Sequence, residues 1–228
     1  NSGFFHLSST SGGWTSDNNA YGIGKNNGKF TVYKGSAGSF QTSATQVAAL
    51  EKQWVHLALV RSGSTVTLYV NGVADATTGT NSNNNSGKRY LAIGGYYNTS
   101  YLIPGYIRDF RYVKGTAVYG ANFTPPTEPL TEVTNTKLLT AQGLQFSDVS
   151  ANNHSMSKTG DVSTMPFTPY DYAEYDSTKH GGSIYFPDSG GLYIPSDSVG
   201  TVSDDDFTAE CWFYQEEPGG NCTLFDKD

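Results

Sequence analysis

Residues 53–72 read QWVHLALVRSGSTVTLYVNG, and the fold of the whole chain follows from this stretch. In residues 54–61 almost every side chain is apolar, the pattern of a strand buried on both faces. Ser62, Gly63 and Ser64 supply a tight turn in which glycine is free to take a positive φ. Val66, Leu68 and Val70 then alternate with Thr67, Tyr69 and Asn71, the period of a strand with one face turned inward. Asn71-Gly72 turns the chain again.

Further strands are laid beside this hairpin. GKFTVYK at 28–34, residues 88–97 and residues 106–113 have strand character, and 137–140 forms a last short strand before the pattern changes. Residues 77–87 are almost pure Thr, Asn, Ser and Gly and read as an exposed loop, while 96–103 form a tyrosine-rich one. Pro125, Pro126 and Pro129 force an extended path along an edge. No long helical periodicity interrupts this, so the chain reads as all-β with antiparallel sheets.

The run W-x-H-x-A-L-V-R-x-G followed by T-L-Y-V-N-G resembles the laminin G-like domains of the concanavalin A-like lectin/glucanase superfamily. The resemblance continues through LAIGG (91–95) and GYIRDFRYVKG (105–115). The next run, GTAVYGANFTPPTEPLTEVTNTKLLT (115–140), is similar to the form of the domain found in tail and other structural proteins of marine bacteriophages. The resemblance implies an antiparallel β-sandwich of jelly-roll type, two sheets packed face to face. It also implies an extracellular or virion-surface setting.

Domain organisation is unusual. Residues 1–141 resemble the body of such a domain without its opening strands, and 142–181 are polar and proline-containing, the composition of a linker. The opening pattern returns at 182–228 in SIYFPDSGGLYIP, DFTAECWFYQ and TLFD. Reading Asp228 into Asn1 gives TLFDKD–NSGFFHLSS, which joins without a gap in the family's order. A window of a tandem array, a circular permutant and a subunit lending its last strands to a neighbouring copy all produce this arrangement. In each, 182–228 completes 1–141, because the first piece alone leaves open sheet edges and the second is too short to bury a core. The chain begins with Asn, so it reads as a processed or excised piece.

Composition excludes several roles. The net charge is −7, the pI is near 5.0, and the 14 basic residues are scattered, which argues against a phosphate-binding surface and hence nucleic acid. No apolar run approaches the ~20 residues of a membrane-spanning helix. Sixteen Tyr, twelve Phe and three Trp supply enough aromatic surface for a core despite the polar average. Trp54, Leu57, Leu59, Leu68, Val70, Ile107, Phe110, Phe207 and Trp212 are expected between the sheets.

For catalysis, the glucanases of the superfamily carry acidic residues in an E-x-D-x-x-E spacing that aims two carboxylates at the scissile bond. None of the glutamates here has that spacing, and Glu210 stands alone beside Cys211, so no enzyme is expected. No histidine pair has metal-ligand spacing, and His56 reads as a core or surface histidine. Asp109 and Arg111 read as ties between strands.

Sugar recognition needs flat aromatic faces and polar groups for hydroxyls. Trp14 in one Gly/Ser/Asn loop and Tyr96, Tyr97, Asn98 and Tyr101 in a second supply those types. The alternative is that these rings cover the rim of the sandwich. A glycan or cell-surface polysaccharide is thus the expected partner, together with further copies of the chain. The resemblance also suggests calcium at the sandwich rim, with Asp17, Asp226 and Asp228 as carboxylate ligands. Cys211 and Cys222 flank the turn sequence EEPGGN and either pair as a disulfide across a hairpin or remain two thiols on neighbouring strands.

Overall fold

The computed structural model describes residues 21–34, 38–80, 91–95, 102–187, 189–194, 205–216 and 222–227. Among these residues, fifteen strands form two antiparallel sheets. One sheet runs in the order β10 (Ser157–Gly160), β13 (Gly190–Ile194), β7 (Leu91–Ile93), β15 (Cys222–Lys227), β1 (Tyr21–Asn26), β2 (Lys29–Lys34), β3 (Gly38–Gln46). The other runs β11 (Ser163–Met165), β12 (Ser183–Pro187), β8 (Pro104–Lys114), β14 (Phe207–Gln215), β4 (Trp54–Ser62), β5 (Thr65–Val70), β6 (Val73–Thr80), and β9 (Thr136–Thr140) also pairs with β8. At one margin the sheets are joined by the Ser43 hydroxyl of β3, which donates to the Asp75 carboxylate of β6 at 2.7 Å.

The interior follows from strand alternation. Val55, Leu57 and Leu59 of β4, Val66, Leu68 and Val70 of β5, and Phe207, Ala209, Cys211 and Phe213 of β14 all face the opposite sheet. They meet Ile23, Phe30 and Val32, with Leu91, Ile93 and Leu192 beyond, from the smaller sheet. The expectation of β4 as a strand buried on both faces holds, because its other face is covered as well. His56, Ala58 and Val60 point outward, yet none is exposed. Ala117, Tyr119 and Phe123, from the irregular segment after β8, pack over Ala58, Val60 and the outward-turned Tyr69. That segment is pinned at the Asn71-Gly72 turn, where the Phe123 amide donates to the Gly72 carbonyl at 2.8 Å. Gly72 has φ 74°, and a Cβ there would collide with the Phe123 carbonyl.

The alternation also corrects two core assignments. Leu57, Leu59, Leu68, Val70, Ile107, Phe110 and Phe207 lie between the sheets as expected. Trp54 and Trp212 do not. Trp54 shares its parity with His56, and Trp212 shares its own with Glu210, so both project from the outer face and are half-buried. The cysteine hairpin is corrected too. β14 and β15 belong to facing sheets rather than to one hairpin, and Cys211 is a free thiol buried in the core. Burial pushes its pKa up.

Strands from both ends of the sequence are interleaved. β14 pairs with β4 on one side and β8 on the other, and β15 pairs with β1 and β7. Residues 142–181 are more than a connector, since β10 extends one sheet beside β13 and β11 extends the other beside β12. The two ends of this excursion touch. The Gly182 amide donates to the Gln142 carbonyl at 3.1 Å, and the Arg108 guanidinium donates to the carbonyls of both Gln142 and Gly182. Gly181, at φ 63°, passes so close that a Cβ would strike the Gln142 carbonyl.

The division between inner and outer faces sets a stability order. Phe110→Ala should lower the unfolding free energy by about 3–5 kcal/mol, the cost of a large cavity in a closed core. Trp54→Ala should cost clearly less, because solvent can enter the space it leaves. Urea unfolding of the two variants checks this, and equal losses would contradict the outward placement of Trp54.

Candidate functional site

The outer face of the larger sheet carries a group of buried charged side chains, Arg108, Asp109, Arg111 and Glu210. β8 holds Asp109 at φ 53°, and its register against β14 shifts between Glu210 and Trp212. Arg111 therefore stands opposite Glu210 while Arg108 stands opposite Trp212. Three residues apart on a regular strand, these arginines would point to opposite faces. The bulge turns both outward.

Arg111 binds Glu210 Oε1 through Nε at 2.9 Å and Nη2 at 2.6 Å. The Tyr119 hydroxyl donates to Oε2 at 2.7 Å, and His56 Nε2 lies 3.2 Å from the same oxygen. Burial pushes the Glu210 carboxyl up, but His56, Arg111 and Tyr119 together outweigh it and hold the group below the usual carboxylate range. Asp109 belongs to a second cluster, accepting from Arg108 Nε at 3.2 Å, Gln142 Nε2 at 2.6 Å and the Tyr170 hydroxyl. There burial wins, and the Asp109 carboxyl is pushed up in spite of Arg108, Tyr170 and Gln142. Both carboxylates are wholly buried, so they tie the covering segments to the sheet and present no acid to a substrate.

Beyond these clusters, at the end where β8 begins and β14 ends, the outer face opens into an aromatic platform. Trp54 of β4, Tyr106 of β8, Tyr185 of β12 and Tyr214 of β14 are all half-buried, as is Phe167 from the excursion between β11 and β12. Antiparallel pairing sets Tyr214 beside both Trp54 and Tyr106, and Tyr185 beside Tyr106. Ring centroids lie 4.8 Å apart for Tyr106–Tyr185, 5.8 Å for Tyr106–Tyr214 and 5.6 Å for Trp54–Tyr214. Phe167 stands against three of these rings, 4.9 Å from Trp54 and from Tyr106 and 4.8 Å from Tyr214. One carboxylate joins them: Glu216, just past β14, accepts from the Tyr106 hydroxyl at 3.1 Å. Burial and the neighbouring Glu216 raise the Tyr106 hydroxyl to about 12, so it remains a donor at every physiological pH. The Trp54 indole N–H is buried and, among the described residues, has no hydrogen-bond partner.

The sequence profile of a laminin G-like family, described as the concanavalin A-like lectin/glucanases superfamily, matches residues 2–117. The chain belongs to this superfamily. No curated protein and no solved structure matches it. The superfamily's sandwich is the fold observed, and the matched span includes the Asp109 bulge, Arg111 and two of the platform rings, Trp54 and Tyr106.

None of the site residues expected from sequence belongs to this described platform. Trp14, Tyr96, Tyr97, Asn98 and Tyr101 lie outside the described residues, as do Asp17 and Asp228. Asp226 sits in β15, its backbone paired with Gly22 and Ala92. Among the described residues no three His, Cys, Asp or Glu side chains converge as metal ligands. The platform itself was missed. Its signal is in the sequence as aromatic residues on outward parity, Tyr106 before Ile107 and Tyr214 after Phe213, but parity does not tell which outward rings stay uncovered.

Glu210 gives a pH prediction. A carboxyl held low in the folded state stabilises the fold above its unfolded pKa, and that contribution disappears as pH falls through the folded value. Glu210→Gln lacks this linkage, while the opposing contribution of Asp109 is common to both proteins. The variant's unfolding free energy should therefore fall less than the parent's between about pH 6 and about pH 3. Parallel stability curves over that range would show that Glu210 is not held low.

Proposed function

We propose that the chain is a non-catalytic carbohydrate-binding and adhesion module of a larger extracellular or virion assembly of tail-fibre type. The observation that carries this reading is the aromatic platform with its carboxylate. Apolar ring faces match the C–H face of a pyranose, and Glu216 and the tyrosine hydroxyls match its hydroxyls. Membership of a lectin and glucanase superfamily supports the same class of ligand. The closure of Glu210 beneath Tyr119 supports the non-catalytic part, since a glycosidase needs its carboxylates open to the scissile bond. The loop residues Trp14, Tyr96, Tyr97, Asn98 and Tyr101 are proposed as a second set of sugar contacts. Among the described residues no helix is long and apolar enough to cross a membrane.

Glycan-array binding tests the reading. Tyr185→Ala should weaken retention on the bound polysaccharide by roughly tenfold or more, the scale of one lost stacking contact. Trp14→Ala and Tyr97→Ala should weaken it if the loops take part. The same polysaccharides should release no reducing ends above a buffer control. Binding untouched by Tyr185→Ala would remove the platform from the site.

A second reading is a structural repeat that builds a filament or virion surface by strand complementation, without a sugar. The central positions of β14 and β15 favour it, because without residues 182–228 each sheet is split down its middle. Supplied within the chain, these strands close one sandwich. Supplied by a neighbour, they make a head-to-tail contact that propagates as a fibre. Removing residues 182–228 should give an aggregating or unfolded product, and adding the missing segment as a peptide should rescue it. A soluble, cooperatively folding 1–141 fragment would overturn complementation.

A further inference from the structure

We propose that the platform takes an uncharged pyranose, and that Glu216 is the residue that selects it, accepting from the sugar's hydroxyls and turning away uronate and sulfated sugars. This rests on the carbohydrate-binding reading above and deepens it to a ligand class. Glu216 is held in place from two sides. Its backbone amide reaches the Pro104 carbonyl at 3.4 Å, and its Oε1 receives the Tyr106 hydroxyl at 3.1 Å. Burial, and then the negative charge of Glu216, also raise the hydroxyl of a second platform ring, Tyr185.

An ionised carboxylate offers about four lone-pair positions, so acceptor capacity remains for a ligand. Among the described residues no Lys, Arg or His pairs with Glu216, and the chain as a whole carries −7. An anionic sugar stacked on these rings would therefore bring a second negative charge beside a half-buried one that, among the described residues, no cation pairs with. A neutral hydroxyl donates to the carboxylate without that penalty. The rings also argue against a bare ammonium ligand. A cation cage holds its aromatic faces apart around the charge, whereas each of these centroids lies within 4.8–5.8 Å of a neighbouring ring.

Affinity electrophoresis of the full chain through gels carrying mannan, β-glucan, galactan, polygalacturonate or chitosan tests this. The expected result is retardation by at least one of the three neutral polymers and none by polygalacturonate. Glu216→Gln, which keeps the shape and removes the charge, should weaken that retardation at least tenfold without moving the unfolding midpoint. Polygalacturonate retention should not decrease in this variant. Retardation by polygalacturonate, stronger retardation by chitosan than by any neutral polymer, or an unchanged Glu216→Gln would overturn the inference. If Tyr185→Ala still abolishes binding in those cases, the platform reading stands alone. Retardation by no polymer overturns both.

Discussion

A single left-handed residue on β8 governs how the larger sheet is covered. Asp109 costs about 1–3 kcal/mol of backbone strain as a non-glycine at φ 53°. In return the bulge aims Arg108 and Arg111 at the same face. Arg111 then meets Glu210 of β14, and Arg108 meets the carbonyls of Gln142 and Gly182 at the neck of the excursion. Asp109 itself is bonded by Arg108, Gln142 and Tyr170, so the strained residue is fixed by the elements it positions. The bulge also separates the two partners on one side of β8, with β12 pairing its first half and β9 its second.

A sheet with charged groups buried on its outer face needs a cover, and two irregular segments provide it. Tyr119 and Phe123, stacked at 3.6 Å, close over His56 and Tyr69, while Tyr170 closes over Trp212. These segments carry few regular backbone hydrogen bonds, and their attachment falls to side chains such as Tyr119 and Tyr170, whose hydroxyls are donors to buried carboxylates. Such pairs are specific because losing either partner strands a charge away from water. The sandwich therefore has a third, partial layer.

The aromatic platform lies where that layer ends. Phe167 reaches it from the excursion, but Trp54, Tyr106, Tyr185 and Tyr214 keep part of their surface open. Four strands fix their spacing by antiparallel pairing, so the arrangement of the rings is set by the fold. Glu216 is placed by the same register, one residue beyond the end of β14.

The all-β class, the buried central hairpin, the turn at Asn71-Gly72 and the inner residues Leu57, Leu59, Leu68, Ile107 and Phe110 were legible in the sequence, because alternation along a strand is a local property. Trp54 and Trp212 were misplaced for the same reason: large apolar side chains suggest the core, and only the parity of their strands against known partners assigns them to the outer face. The cysteine hairpin failed because a short turn between two strands looks alike whether they share a sheet or cross between sheets. Glu210 reads as a lone acid in DFTAECWFYQ, and its partners come from two distant stretches, His56 from β4 and Arg111 and Tyr119 from β8 and the segment after it. The platform is likewise spread over residues 54, 106, 167, 185 and 214. Which residues alternate, and which family pattern they follow, can be read from the order of residues alone. Tertiary structure alone decided which outward faces are covered, because covering depends on long-range pairing and on a bulge whose positive φ leaves no signature in the order of residues.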